Sequence, residues 1–175
     1  GVSALEKLVK RQGVTKVESI GDALPLFFDH RVYKSYPLAI IEKRDLAKLR
    51  EEVVAMRRKM VDAHASNSES EFNLKHDPGG IIDVEFIVQY LVLGHANRHH
   101  ALTGNLGNIA LLRIAAELGL IPADQAEAAG DAYREYRRLQ HAKRLSANPK
   151  ALIDRESIGK QIAAVNTLWK TVFGD

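Results

Sequence analysis

The chain has 175 residues, which is enough for one domain with a sizeable buried core. Its 25 Lys and Arg side chains exceed its 22 Asp and Glu side chains by a net charge of +3, a balance too mild to indicate a nucleic-acid-binding protein. Cysteine is absent, which excludes disulfides, thiolate catalysis and cysteine-ligated zinc.

Membrane-spanning and secreted proteins are recognised by long apolar segments, and this sequence shows none. No apolar run approaches the roughly 20 residues that cross a bilayer, and the first residues do not resemble a signal peptide. We therefore expect a cytoplasmic protein without a membrane partner.

The first quarter of the chain has the least regular pattern. Ser3 to Arg11 has the capping residues of a short helix, and Gly13 stands where such a helix would end. From Val14 to Pro37, prolines and glycine interrupt the apolar residues without a clear period, which predicts turns. We assign residues 1–43 to no domain. Their sequence either has diverged or is foreign to the rest of the chain.

The next segment has the pattern of an amphipathic helix. Its apolar residues recur at steps of three, four, three and four, which places them on one seam. They are Leu46, Leu49, Val53, Met56 and Met60. The charged residues between them, including Arg57, are expected on the other faces of the helix. The polar stretch from Ser66 to Lys75 predicts a surface loop.

A helix from about Ile81 to His95 is apolar on nearly every side, so we expect it in the middle of a bundle. Its polar residues Asp83 and Glu85 are about 200° apart around the helix and so do not form a paired acid and base. A buried carboxylate needs a partner, either in a structural ion pair or in a functional site. The candidate partners are Arg134, Arg137, Arg138 and Arg144.

Three further helices complete the predicted fold. Asn108 to Leu118 is short, Pro122 to about Leu145 is long and begins with proline, and the last helix starts near Asp154 as its N-cap. Five or more helices with short connections predict an all-α protein, an antiparallel helical bundle whose N-terminal quarter is irregular.

Gly79 and Gly80 precede the apolar helix and allow two interpretations. Glycine lets the backbone approach a ligand, and the free amides and dipole at a helix start favour an anion such as phosphate. Alternatively, Pro78 and the glycines only turn the chain while Asp83 stabilises the first helical turn. The residues alone favour the second interpretation.

The long helix carries a basic run with interleaved tyrosines near its end. Its cationic residues would neutralise phosphates if the helix bound a nucleic acid. They are Arg134, Arg137, Arg138, His141 and Arg144. The same spacing fits a helix with Tyr133 and Tyr136 in the core and the charges in solvent. The mild net charge favours this reading over a nucleic-acid partner.

Sequence motifs of nucleotide chemistry are missing. Nucleotidyl transfer needs carboxylates that hold magnesium against a triphosphate, usually signalled by a Gly-Ser turn followed by Asp-x-Asp. Neither pattern is present, and the sequence has no Walker loop, dinucleotide fingerprint or nucleophile elbow. We therefore identify no catalytic residue and no metal site.

The segment Lys75 to Gln89 resembles the motif of glutamine synthetase adenylyltransferases. That motif is a Gly-Gly followed by Ile-x-Asp-Ile-Glu-Phe and a Gln three residues later, and here Val84 replaces the usual second Ile. Leu49 to Met60 resembles the helix before the motif. The resemblance runs from about residue 44 to the C-terminus. Further matching positions are Asn108, Ile109, Tyr133, Arg137 and His141.

This resemblance implies the C-terminal helical domain of a bacterial enzyme that attaches AMP from ATP to a tyrosine of glutamine synthetase and removes it by phosphorolysis. In that family a magnesium-dependent nucleotidyltransferase palm precedes each helical bundle, and PII signalling proteins and glutamine set the direction. Residues 44–175 would be a bundle that follows a missing palm, inactive alone and without a cofactor of its own. Asp83 stands where the deadenylylating half typically has Arg, which indicates the adenylylating half.

Two sets of candidate site residues follow. The first would shape the nucleotide site or the interface with the palm, and it comprises Gly79, Gly80, Asp83, Glu85 and Gln89. The second, the basic residues from Arg134 to Arg144, would bind glutamine synthetase or PII if the bundle is a docking module instead. The helical domain of PII uridylyltransferases is the closest rival family.

Overall fold

The computed structural model describes residues 43–104, 106–145 and 152–174, and five α-helices in this part confirm the all-α prediction. They are α1 (Leu46–His64), α2 (Ile81–His95), α3 (Asn108–Glu117), α4 (Ala123–Leu145) and α5 (Gly159–Phe173). Each of these helices is too short or too polar to cross a membrane. The predicted helix at residues 3–11 and the irregular stretch at 14–37 lie outside the described residues.

Helix α1 forms where the amphipathic pattern predicts it. Asp45 caps its start, because the Asp45 carboxylate accepts hydrogen bonds from the amides of Ala47 and Lys48 at 2.9 and 3.2 Å. Two predicted seam residues, Leu49 and Val53, are buried. The third buried residue is Arg57, which was predicted to lie on a face other than the seam. That prediction was wrong, since Arg57 continues the four-residue steps of the buried seam.

Helix α2 is the central element, as its apolar character predicts, and its bounds agree with the prediction. Twelve of its 15 residues are buried, and it packs against α1, α3, α4 and α5. Gly94 allows the close crossing with α1, because a Cβ atom there would lie 2.6 Å from a methyl carbon of Leu46.

A small sheet joins two distant parts of the chain. Strand β1 (Glu71–Asn73) pairs antiparallel with strand β2 (Leu152–Asp154), with Phe72 opposite Ile153. The surface loop predicted from Ser66 to Lys75 is therefore partly wrong. Phe72 and Leu74 are fully buried, so this segment contributes to the core despite its polar start.

The remaining helices agree with the predicted positions, except at the start of α5. A 3₁₀ turn (Glu156–Ile158) precedes this helix, and the Asp154 carboxylate accepts the amide of Ser157 at 3.1 Å. Asp154 therefore caps the turn, and α5 itself begins five residues later than its predicted cap. Gly119, with φ of +72°, follows the end of α3 in the left-handed conformation that glycine favours.

Candidate functional site

The backbone at the start of α2 lies close to its own chain. A Cβ atom on Gly80 would lie 2.6 Å from the carbonyl oxygen of Leu74, so only glycine fits there. The amide of Gly80 donates to the Asp77 carbonyl at 3.0 Å, and the amide of Ile81 donates to the Leu74 carbonyl at 2.8 Å. These helix-start amides, which a phosphate would need, are thus used within the chain.

Asp83 points into the core and pairs with Arg57 of α1. The Arg57 Nε donates to Asp83 Oδ1, and no more than 5% of either side chain is exposed. The other carboxylate oxygen accepts the amide of Gly79 at 2.5 Å. Arg57 Nη2 also donates to the His76 carbonyl at 2.9 Å. One buried ion pair therefore joins α1, the loop before α2 and the first turn of α2.

The predicted partners of the buried carboxylate were wrong. Arg134 pairs with Asp131 and Arg138 pairs with Glu135, within the exposed surface of α4. Helical periodicity correctly indicated that Asp83 needs a cation, but it could not indicate which helix supplies one. The signal for Arg57 was its position four residues after Val53 on the buried seam.

Burial disfavours the negative charge of Asp83, whereas two neighbouring groups favour it. Burial raises the pKa of the Asp83 carboxyl, while the Arg57 guanidinium and the Gly79 amide oppose that rise. The stability of the charged pair therefore depends on Arg57, because few other groups can replace water around the carboxylate.

Tyr136 of α4 holds the same turn from another side. Its hydroxyl donates to the Gly79 carbonyl at 2.9 Å, and the side chain is fully buried. Burial, and secondarily the nearby Asp83 carboxylate, raises the pKa of the Tyr136 hydroxyl, which keeps it protonated as a donor. Tyr136 thus lies in the core, as the second interpretation of the basic run predicted.

Asp77 anchors the loop before α2. Its buried carboxylate accepts the amide and the hydroxyl of Ser66 and, at 2.9 Å, the amide of Asn73. Arg155, just after β2, approaches the same carboxylate at 3.5 Å. No pattern in the sequence singled out this role. Asp77 therefore ties the loop to the sheet and fixes the entry into α2.

Glu85 lies on a different side of α2 from Asp83, as the helical geometry predicts. Its carboxylate accepts the hydroxyl of Tyr133 at 3.2 Å, and that hydroxyl accepts the side-chain amide of Asn108 at 3.0 Å. All three side chains are half-buried. Burial and the Glu85 charge raise the pKa of the Tyr133 hydroxyl. A polar connection thus runs across α2, α3 and α4 at the surface of the bundle.

Gln89 lies one helical turn after Glu85 on α2. Its Oε1 atom is buried and has no hydrogen-bond partner among residues 43–104, 106–145 and 152–174. A buried carbonyl oxygen without a donor is costly, so the donor must come from an ordered water or from groups outside the described residues. We name Glu85, Gln89, Asn108 and Tyr133 the polar cluster. Asn108 was noted only as a position of family resemblance, and Tyr133 was also predicted to lie in the core, where it is half-buried.

The second predicted set lies along the exposed side of α4, where Arg137 follows Tyr133 by one helical turn. Arg134, Arg137, Arg138, His141 and Arg144 are all exposed on α4. In the described part of the chain, no three His, Asp or Glu side chains are arranged to hold a metal ion.

Comparisons with known proteins identify relatives of this chain. Residues 45–151 match the family model described as GlnD PII-uridylyltransferase. The bifunctional glutamine synthetase adenylyltransferase/adenylyl-removing enzyme of Aromatoleum aromaticum is 61% identical over 75% of this chain and 14% of the relative. The enzymes of the same name from Nitrosomonas europaea and Bordetella bronchiseptica are 49% and 52% identical, over 77% and 78% of this chain.

The chain spans 14 to 16% of the length of these three curated relatives. The family model is named after PII uridylyltransferases, the rival family. The relatives are named glutamine synthetase adenylyltransferases, the family that the motif from Lys75 to Gln89 indicates. The chain therefore belongs to the family of the GlnD PII-uridylyltransferase model and is a homologue of glutamine synthetase adenylyltransferases.

Proposed function

We propose that this chain is the helical part of an enzyme that transfers AMP from ATP to glutamine synthetase and removes it again. The observation that carries the proposal is the 61% identity to a bifunctional enzyme of that name over three quarters of the chain. In this proposal the chain works with a nucleotidyltransferase palm that its sequence does not contain, in the cytoplasm, and PII proteins regulate the direction.

ATP and magnesium would be bound mainly by that palm. The sequence has no Asp-x-Asp motif, the pattern that usually supplies the magnesium-binding carboxylates in nucleotidyl transfer. Gly80 lies close to the carbonyl of Leu74, and Asp83 pairs with Arg57. Both predicted nucleotide-site candidates are thus held within the chain. We therefore assign Gly79, Gly80 and Asp83 the role of fixing the start of α2 and not that of binding the nucleotide.

The polar cluster is the part of the motif that remains for an interface with the palm. Glu85 and Tyr133 are half-buried at the bundle surface, and the Gln89 oxygen lacks a donor among the described residues. Interfaces between domains of one chain are more polar than obligate subunit interfaces, which suits a cluster of this composition. We infer that the palm packs over Glu85 and Tyr133, and that Gln89, whose half-buried side chain can turn its amide outward, joins the same interface.

Substitutions in the full-length enzyme that carries this chain test the role of the polar cluster. Glu85→Gln keeps the shape of the side chain and removes its charge, and Gln89→Leu removes the acceptor. Glu51→Gln, on the exposed side of α1, is the matched control. We expect both cluster variants to lower kcat for AMP transfer at least tenfold, about 1.4 kcal/mol, while Glu51→Gln leaves it unchanged.

Thermal unfolding of the same variants separates a functional role from a structural one. A cluster variant that keeps its unfolding temperature and loses transfer supports the interface. Unchanged transfer by both cluster variants would show that the polar cluster takes no part in the reaction.

A further inference from the structure

The exposed side of α4 carries a line of cationic residues, which we call the basic stripe. At 100° per residue its members lie within an arc of about 120°, and they extend over about 15 Å of helix. They are Arg134, Arg137, Arg138, His141 and Arg144. About two thirds of the Arg134 and Arg138 side chains is exposed.

Packing does not account for the basic stripe. Tyr136 is the last buried residue of α4, and no residue from Arg137 to Leu145 is buried. Leu145, at the end of the helix, is 77% exposed. Among the described residues, the side of α4 that carries the basic stripe is therefore exposed, while a single exposed leucine is ordinary on a protein surface.

The charges within α4 leave one edge of the stripe without a counter-charge. Asp131 and Glu135 pair with arginines along one edge. On the other edge, Arg137, His141 and Arg144 have no carboxylate partner among the described residues; Arg137 instead donates to the side chain of Gln140 at 2.9 Å. The helix dipole favours cations only in the last turn, whereas this edge covers about two turns.

We propose that the basic stripe is the docking surface for an acidic patch on the protein substrate, glutamine synthetase. This inference rests on the proposed function and specifies which surface of the bundle meets the substrate. The planar guanidinium binds carboxylates in a bidentate manner, and arginine is enriched at protein interfaces. A nucleic acid fits less well, since Asp131 and Glu135 would face its phosphates beside the stripe.

Binding of the 175-residue chain to purified glutamine synthetase tests the proposal, for example by biolayer interferometry. The stripe variant combines Arg137→Glu and Arg144→Glu. The control variant combines Lys59→Glu and Lys160→Glu, which make the same change of charge at exposed positions on α1 and α5. Circular dichroism of both variants establishes that each remains folded. A short DNA duplex serves as the alternative ligand.

We expect the wild-type and control chains to bind glutamine synthetase equally and the stripe variant to bind at least about tenfold more weakly. In the full-length enzyme the same two substitutions should raise KM for glutamine synthetase and leave KM for ATP unchanged. Equal binding by the stripe variant, or a loss of DNA binding alone, would overturn the docking surface. The proposed function would then stand if the enzyme still transfers AMP, and would fall only if it does not.

Discussion

Arg57 of α1 and Asp83 of α2 form an ion pair that is buried in the middle of the bundle. Arg57 also holds the carbonyl of His76, and Asp83 holds the amide of Gly79, so the pair determines how the chain enters α2. A charge pair in such a position stabilises the fold only while both partners are present. The first turn of α2 is thus fixed by groups that the family motif itself supplies, together with Arg57.

Asp83→Asn is expected to lower the free energy of unfolding by about 3–5 kcal/mol, because it leaves the Arg57 charge buried without a counter-charge. Urea denaturation followed by circular dichroism measures this change. Asp131→Asn is the control, since it breaks an exposed pair with Arg134 and should cost less than about 1 kcal/mol. Equal effects of the two substitutions would contradict a structural role for the buried pair.

Two Gly→Ala substitutions should act in opposite directions. At Gly80 the added Cβ would meet the Leu74 carbonyl at 2.6 Å, so we expect a loss of about 1–3 kcal/mol. At Gly130, inside α4, the added Cβ would meet Ile109 at an ordinary 3.6 Å. Alanine there should stabilise the helix by about 0.5–1 kcal/mol. Thermal unfolding of both variants measures the difference, and a stable Gly80→Ala chain would show that the start of α2 can move.

Stability should fall as the pH is lowered through the titration range of histidine. Burial is the main cause that lowers the pKa values of His76 and His95 below the ordinary 6.5, and the nearby Lys75 and His99 add to it respectively. Below about pH 6.5 the unfolded chain therefore binds more protons than the folded chain, so acid favours unfolding. Above that pH the titration of these two histidines no longer lowers the free energy of unfolding.

Denaturation at a series of pH values from about 7.5 to about 5.5 measures this dependence. Replacing His76 and His95 together by Gln should flatten the curve, whereas His100→Gln, at an exposed position, controls for the loss of a histidine. A slope that stays the same in the double variant would assign the pH dependence to other groups.

Helix positions could be predicted from the sequence because periodic apolar residues encode a buried face, and α2 from Ile81 to His95 was predicted with its observed bounds. The small sheet could not, because three-residue strands lack a readable period. Its pairing of Phe72 with Ile153 also joins distant parts of the chain. The need of Asp83 for a cation was predictable, but its partner depended on how α1 packs.

For the candidate site as well, the sequence indicated single residues but not the neighbours that the folded chain places around them. The motif drew attention to Glu85, yet its partner Tyr133 and the Asn108 bonded to that tyrosine come from two other helices. For Gly80 the sequence allowed close approach of the backbone to a ligand or a simple turn of the chain. What it approaches is the carbonyl of Leu74, which only the folded loop places there.

Transfer of labelled AMP from ATP to glutamine synthetase tests most directly whether this chain is the helical part of an adenylyltransferase. The three samples are this chain alone, a fragment of the same enzyme that carries the palm without this chain, and the two joined in one polypeptide. We predict transfer by the joined polypeptide and none by either part alone. Transfer by the palm fragment at the full rate, or no transfer by the joined polypeptide, would contradict that role.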